Sequence, residues 1–154
     1  MSTVYFAEEQ WLWRNRILQG ALASGVAFCA LRWRAVGRGR ALAEGISCAA
    51  AASFLATVRL DVRVGPGMLE IEFWPFVRRR IPSREIVSWQ AVGYRPLVGW
   101  GGWGIRWRPG GWAYTVFGDR GVRVRLAGGR EVLVGSRRPE ELAEAIAASR
   151  GERL

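Results

Sequence analysis

The groups that could do chemistry in this chain are few and poorly matched. It contains neither histidine nor lysine, so the two side chains most used for proton transfer near neutral pH are missing. Its 13 acidic residues include only two aspartates, Asp61 and Asp119. Glu70 and Glu72 share one face of an alternating run, yet no cysteine stands near them at metal-ligand spacing, and they read as solvent-facing. Ser136 precedes a helix start, where hydrogen bonding and turn formation explain it without a nucleophilic role. Cys29 and Cys48 fall one in each of two uncharged segments and read as buried, inert thiols. The set argues for no catalytic residue, no cofactor and no metal. The expectation is a protein that binds, not an enzyme.

Charge says more than chemistry. All 23 basic residues are arginine, and the net charge is +10. A coding bias toward arginine, alanine and glycine would produce that tally, but the positive field is real whatever its origin. An anionic membrane surface or an acidic partner would feel it equally. Two clusters stand out as candidate interaction surface. One is Arg78-Arg79-Arg80, which could lie on anionic lipid or in a solvated turn between strands. The other is the Gly-Trp run from Gly99 to Trp112, in which Trp100, Trp103 and Arg106 are the candidate contacts. Its glycines could equally make bends in a curved sheet while the tryptophans cover a core, with Trp100 the residue expected outside. No Lys-Ser/Thr follows it, so it is not a phosphate loop. Arg123 and Arg125 share a strand face and Arg106 and Arg108 could lie near them. Their alternation with valine and leucine more simply makes them the wet side of a sheet, so nucleic acid is not the expected partner.

The elements that must position these residues divide into two parts. Residues 17–31 and 45–58 carry no charge, and four arginines lie in the loop between them. Trp11, Trp13, Arg14, Arg16, Arg32, Trp33 and Arg34 bracket the segments as membrane-interface anchors would. The expectation is a transmembrane helical hairpin over residues 11–57, behind a tail at 1–10, in contact with membrane lipids. Glu8 and Glu9 ahead of the first apolar stretch argue against a cleaved signal peptide. Insertion is marginal: the apolar residues of the second segment contribute only about −1.2 to −2.4 kcal/mol. The two helices would therefore enter as a pair, through Gly20/Ser24, Ala21/Gly25 and Gly45/Ala49/Ser53 at four-residue spacing. The positive-inside rule ties at four arginines on each side and leaves the orientation open.

From residue 58 the period becomes two. Leu60, Val62 and Val64 alternate with charges, Gly65-Pro66-Gly67 turns, and Leu69, Ile71 and Phe73 return as a hairpin. Further strands are expected around 81–94, 112–117 and 122–126, and Gly128-Gly129 reads as a two-residue hairpin turn into 131–135. Pro139, Glu140 and Glu141 open an amphipathic helix that buries Leu142, Ala145 and Ile146. The fold class expected is α+β: the membrane hairpin, then a pleckstrin-homology-like split β-barrel of about seven antiparallel strands over 58–150, capped by that helix, with a tail at 151–154.

Gly102-Trp103-Gly104-Ile105-Arg106, Tyr114, Gly118, Gly121-Val122, Gly129-Arg130, Leu133-Val134-Gly135-Ser136 and Pro139-Glu140-Glu141-Leu142 carry a resemblance, as do Phe6-Ala7-Glu8-Glu9-Gln10 and Phe73-Trp74-Pro75-Phe76. The chain resembles a family of small, mostly uncharacterised bacterial membrane proteins with two N-terminal transmembrane helices and a PH-like domain. The resemblance implies a place in the bacterial inner (cell) membrane with the PH-like domain on the cytoplasmic side. Phosphoinositide binding is not expected, because the loop around Gly65-Pro66-Gly67-Met68 is short and uncharged. The function expected is a membrane-anchored scaffolding module that binds a protein partner or a lipid surface, in an unknown oligomeric state. Two other readings stand beside it: a soluble basic β-domain with a helical dimerisation arm, and an accessory subunit of a larger membrane complex.

Overall fold

A computed structural model describes residues 4–14, 16–32, 38–95 and 102–151. They form nine strands and three α-helices, in two compact units: Trp11–Val58, and Met1–Gln10 together with Arg59–Leu154.

The smaller unit is a pair of helices, α1 (Arg16–Arg32) and α2 (Arg38–Thr57). Among the described residues no helix is long and apolar enough to cross a membrane, which corrects the expected transmembrane hairpin and the inner-membrane location built on it. The reasons are physical. Trp11 ends strand β1 (Phe6–Trp11) and Leu12–Arg14 is a 3-10 turn, so α1 does not extend back to Trp11. Its 17 residues then reach only about 26 Å, short of a hydrocarbon core of about 30 Å. The 20 residues of α2 have the length without the hydropathy, since alanine, serine and glycine fill its body and Arg40 and Glu44 its first half. Trp11, Trp13, Arg14, Arg16 and Arg32 therefore flank ordinary helix ends, and Trp33 and Arg34 lie outside the described residues.

Across this pair Cys29 Sγ lies 3.7 Å from Cys48 Sγ, and both thiols are half-buried, not fully buried. The hydrogen bond with Cys48, then burial, holds the Cys29 thiol above its ordinary range.

The larger unit contains two sheets, not a closed barrel. The first runs β1–β2–β3–β4, with β2 at Arg59–Gly65, β3 at Met68–Trp74 and β4 at Val77–Pro82. The second runs β5–β8–β9–β7–β6, with β5 at Ile86–Gly93, β6 at Gly104–Arg108, β7 at Gly111–Thr115, β8 at Arg120–Leu126 and β9 at Glu131–Gly135. The expected seven antiparallel strands become nine, and β7 pairs with β9 in parallel. Helix α3 (Pro139–Ser149) packs on β2 of the first sheet and on β5 and β8 of the second. Its Leu142 and Ile146 are fully buried, as are Leu60, Val62, Val64, Leu69 and Ile71 of the first hairpin and Val122, Val124, Val132 and Val134 of the second sheet.

Strand β1 occupies what reads in the sequence as a tail. Its Glu8 carboxylate is buried and accepts hydrogen bonds from the Ser136 hydroxyl (2.5 Å) and the Arg137 backbone N–H (2.9 Å). The Gln10 amide donates to Gly135 O at 2.9 Å. These contacts fasten β1 to the end of β9 and to the turn that leads into α3.

The thiol pair is close enough for a disulfide after a small side-chain movement, since the bond needs about 2.04 Å between sulfurs. Diamide should oxidise full-length protein with loss of both titratable thiols, two protons and two electrons passing to the diamide, faster as pH rises because the thiolate attacks. Two thiols still titratable under denaturing conditions, or only chain-to-chain linkage, would refute the pairing.

Candidate functional site

The outward face of the second sheet gathers the arginines that the sequence scatters. Cross-strand registers place Arg108, Gly111, Glu131, Arg125 and Ser88 on one rung, and Arg106, Ala113, Leu133, Arg123 and Gln90 on the next. Side chains on one rung point to the same side, so four arginines share this face. Glu131 lies between two of them: Arg108 Nη2 reaches its Oε2 at 3.3 Å and Arg125 Nη2 its Oε1 at 3.1 Å. The hydrogen bond from Arg125 and the surrounding arginine charges hold the Glu131 carboxyl below its ordinary range, against a smaller opposing effect of burial. Pro109, Gly110 and Gly129 complete an open recess of about 410 Å³ beside this trio.

Glu131 is absent from the sequence-level candidates because of one residue of register. A two-residue turn at Gly128-Gly129 would put Glu131 opposite Leu126. Instead Leu126 N–H donates to Arg130 O at 2.9 Å, Gly129 takes φ +75°, and Arg125 stands opposite Glu131. This is a three-residue loop with glycine in the left-handed region, and the shift carries Glu131 to the arginine face.

The rest of the face is apolar and covered. Tyr94 lies over Ala113 and Leu133, with Val92 beside them. The next rung is Gly104, Thr115, Gly135 and Gly121. A Cβ on Gly121 would meet Val134 O at an impossible distance, so the close approach of β8 to β9 requires glycine there. Burial pushes the Tyr94 phenol up to about 12, with the Thr115 hydroxyl pulling weakly the other way.

The two sequence clusters separate once placed on strands. Arg78-Arg79-Arg80 is not a turn but the body of β4, and the pleat divides it. Arg80 Nε sits 2.7 Å and Arg78 Nη2 3.9 Å from the Glu70 carboxylate on the outward side. Arg79 turns the opposite way and points a guanidinium N–H toward Tyr114 Oη at 3.4 Å. Glu70 is therefore paired, not simply solvated. In the Gly-Trp run, Trp100 lies outside the described residues. Trp103 is half-buried and donates its indole N–H to Gly118 O at 2.9 Å. Trp112 stacks on Tyr114, and Trp107, on the side opposite Arg106 and Arg108, is 66% exposed. Arginines and exposed indole thus occupy opposite faces of β6, an arrangement poorly suited to clamping a stacked base between charge and ring.

A second recess of about 670 Å³ is lined by Gly67, Met68, Pro82, Ser83, Arg84, Ser149 and Arg150. Its hydroxyls bond to each other, Ser83 Oγ to Ser149 Oγ at 2.7 Å, and Arg150 is drawn to Ile86 O and the Trp89 ring. Those contacts are those of a helix end being tied down. Among the described residues, no group of three or more cysteine, aspartate or glutamate side chains could hold a metal ion.

The chain matches no known family profile and no curated protein.

Tyr94 gives this face a spectroscopic signature. Ultraviolet titration of the wild type minus that of Tyr94→Phe should show a phenolate step near pH 12, not near pH 10. Because the folded value lies above the unfolded one, the stability held by the neutral phenol is complete below pH 10 and is lost as pH rises toward about 12. A difference step centred at pH 10 would place the ring in water.

Proposed function

We propose that this chain is a non-enzymatic interaction module: a basic β-domain that binds another protein, carrying a helical arm through which two copies associate. The observation that carries the reading is the exposure of large apolar side chains along both arm helices. Val26, Phe28 and Leu31 on α1 and Leu42, Ile46 and Phe54 on α2 are all exposed, Leu31 by 82% and Ile46 by 69%. Helix α3, by contrast, buries its apolar stripe completely. Scattered single exposures need no explanation, but six on two paired helices do.

Electrostatics favours the arm as the meeting point. Two copies at +10 each repel one another, and that repulsion is least where the chain carries no charge of its own, over segments 17–31 and 45–58, with Arg32 over the Phe28 ring and Leu42 between Arg40 and Glu44 at their margins. Gly20, Ser24 and Gly25 allow close backbone approach, and Ser24 satisfies its hydroxyl internally on Gly20 O at 2.8 Å. Because these side chains are spread around both helices, one interface covers only some of them, and that burial is comparable to the ~4–15 kcal/mol of freedom lost on association. The balance predicts a reversible dimer of modest affinity. The β-domain offers a partner its arginine face and its open sheet edge.

Sedimentation equilibrium of the full chain in the micromolar range should give a dimer, and Phe28→Glu with Ile46→Glu should give a monomer whose near-ultraviolet circular dichroism is unchanged. A wild type that stays monomeric throughout that range, or association that survives both substitutions, would overturn the arm's role.

A further inference from the structure

The two sheets present four edge strands, and three of them are closed to a new neighbour. Along β1, Arg138 Nη2 occupies Ala7 O at 3.0 Å, and the turn before α3 covers the strand through Glu8 and Gln10. Edge β4 carries three consecutive arginines, one aimed inward, an arrangement that opposes strand addition. Edge β5 has a register break between Ile86 and Ser88, and Arg150 Nη1 takes up Ile86 O at 2.6 Å. Edge β6 differs among the described residues: it pairs with β7 in unbroken register on one side, Arg108 leans back onto Glu131 at 3.3 Å, and Arg106, Trp107 and Arg108 all stand exposed.

We infer that β6 is the docking edge of the module, and that it accepts an extended segment of another protein in which acidic residues alternate with apolar ones. This rests on the reading of the β-domain as protein-binding and names its site and ligand class. An added strand pairs its backbone with the edge and offers side chains alternately to the two faces. On one face they meet Arg106 and Arg108, the latter shared with Glu131, while Arg123 and Arg125 stand three strands further in and add only their field. On the other they meet the exposed ring of Trp107. Glutamate or aspartate suits the first face and valine, isoleucine or leucine the second. The same pattern excludes a second copy of this chain, because β6 laid on β6 would oppose arginine to arginine.

The test uses the full-length protein and a capped peptide of four Glu-Val repeats, followed by calorimetry and tryptophan fluorescence. Binding should weaken by roughly tenfold or more in each of three changes: glutamine replacing glutamate, N-methylation of alternate peptide amides on the pairing edge, and the Arg106→Glu substitution. Trp107→Ala should abolish the fluorescence response and weaken binding, and Arg106→Gln serves where either variant fails to fold. Arg78→Glu with Arg80→Glu should leave the affinity unchanged. The arm variant Phe28→Glu with Ile46→Glu should bind the peptide as the wild type does, so loss of dimerisation and loss of peptide binding are read separately. N-methylated and unmodified peptides binding equally would show charge attraction without strand pairing and overturn the proposal. So would no binding at all, an effect confined to the β4 variant, or an oligothymidylate that binds through Arg106 where the peptide does not.

Discussion

The buried carboxylate of Glu8 is the interaction on which the architecture turns. A charge removed from water is costly unless its oxygens are satisfied, and here a hydroxyl and a backbone N–H reach them from Ser136 and Arg137. The partners come from the residues just before α3, where the unpaired N–H groups of a helix start favour negative charge. One carboxylate thus does two things. It fixes β1 as the fourth strand of the first sheet, and it holds the turn before α3 beside β1, where Arg138 Nη2 takes up Ala7 O. The arm is an insertion between β1 and β2, two strands that are neighbours in that sheet. Leu12 N–H bonding to Val58 O at 2.9 Å closes the base of the insertion.

The strands around the core were legible because their alternation is strong. Leu60-Val62-Val64 and Leu69-Ile71-Phe73 face one way, and the turn at Gly65-Pro66-Gly67 lies where their spacing puts it. The first strand was not legible: Glu8 and Gln10 occupy its inward positions, and a buried Glu looks like a solvated one in sequence. Its burial depends on a serine 128 positions away. The order of strands in the second sheet, including the parallel contact of β7 with β9, likewise follows from contacts that no local pattern encodes.

Local geometry also decided the chemistry of the charges. Three consecutive arginines read as one basic cluster, but on a strand successive side chains leave by opposite faces, so Arg79 parts from Arg78 and Arg80. The loop after β8 holds one residue more than the glycine pair implies, and that residue decides whether Glu131 sits among arginines or beneath them. The uncharged segments misled for a related reason. Absence of charge is not hydropathy, and helices made largely of alanine, glycine and serine gain too little from leaving water to hold a span. Their few large side chains are spread around the helices, not gathered on one stripe, which is why pairing α1 with α2 leaves several of them exposed.

A protein at +10 must manage two hazards at once: like-charge repulsion that resists compaction, and open sheet edges that invite random pairing. The β-domain answers the first locally, setting Glu70 against Arg78 and Arg80, Glu131 against Arg108 and Arg125, Glu140 against Arg120, and Glu141 against Arg138. Exposed pairs of this kind add little stability one by one, so their value is in lowering self-repulsion across a surface that carries many arginines. The second hazard is met with the same residue type, since Arg138 fills the edge of β1, Arg79 guards β4 and Arg150 holds β5. Arg106 and Arg108 on β6 share one sheet face with Arg123 and Arg125, so at the proposed docking edge they disfavour a basic strand and favour an acidic one. The effect of each arginine thus depends on which side of the pleat it occupies.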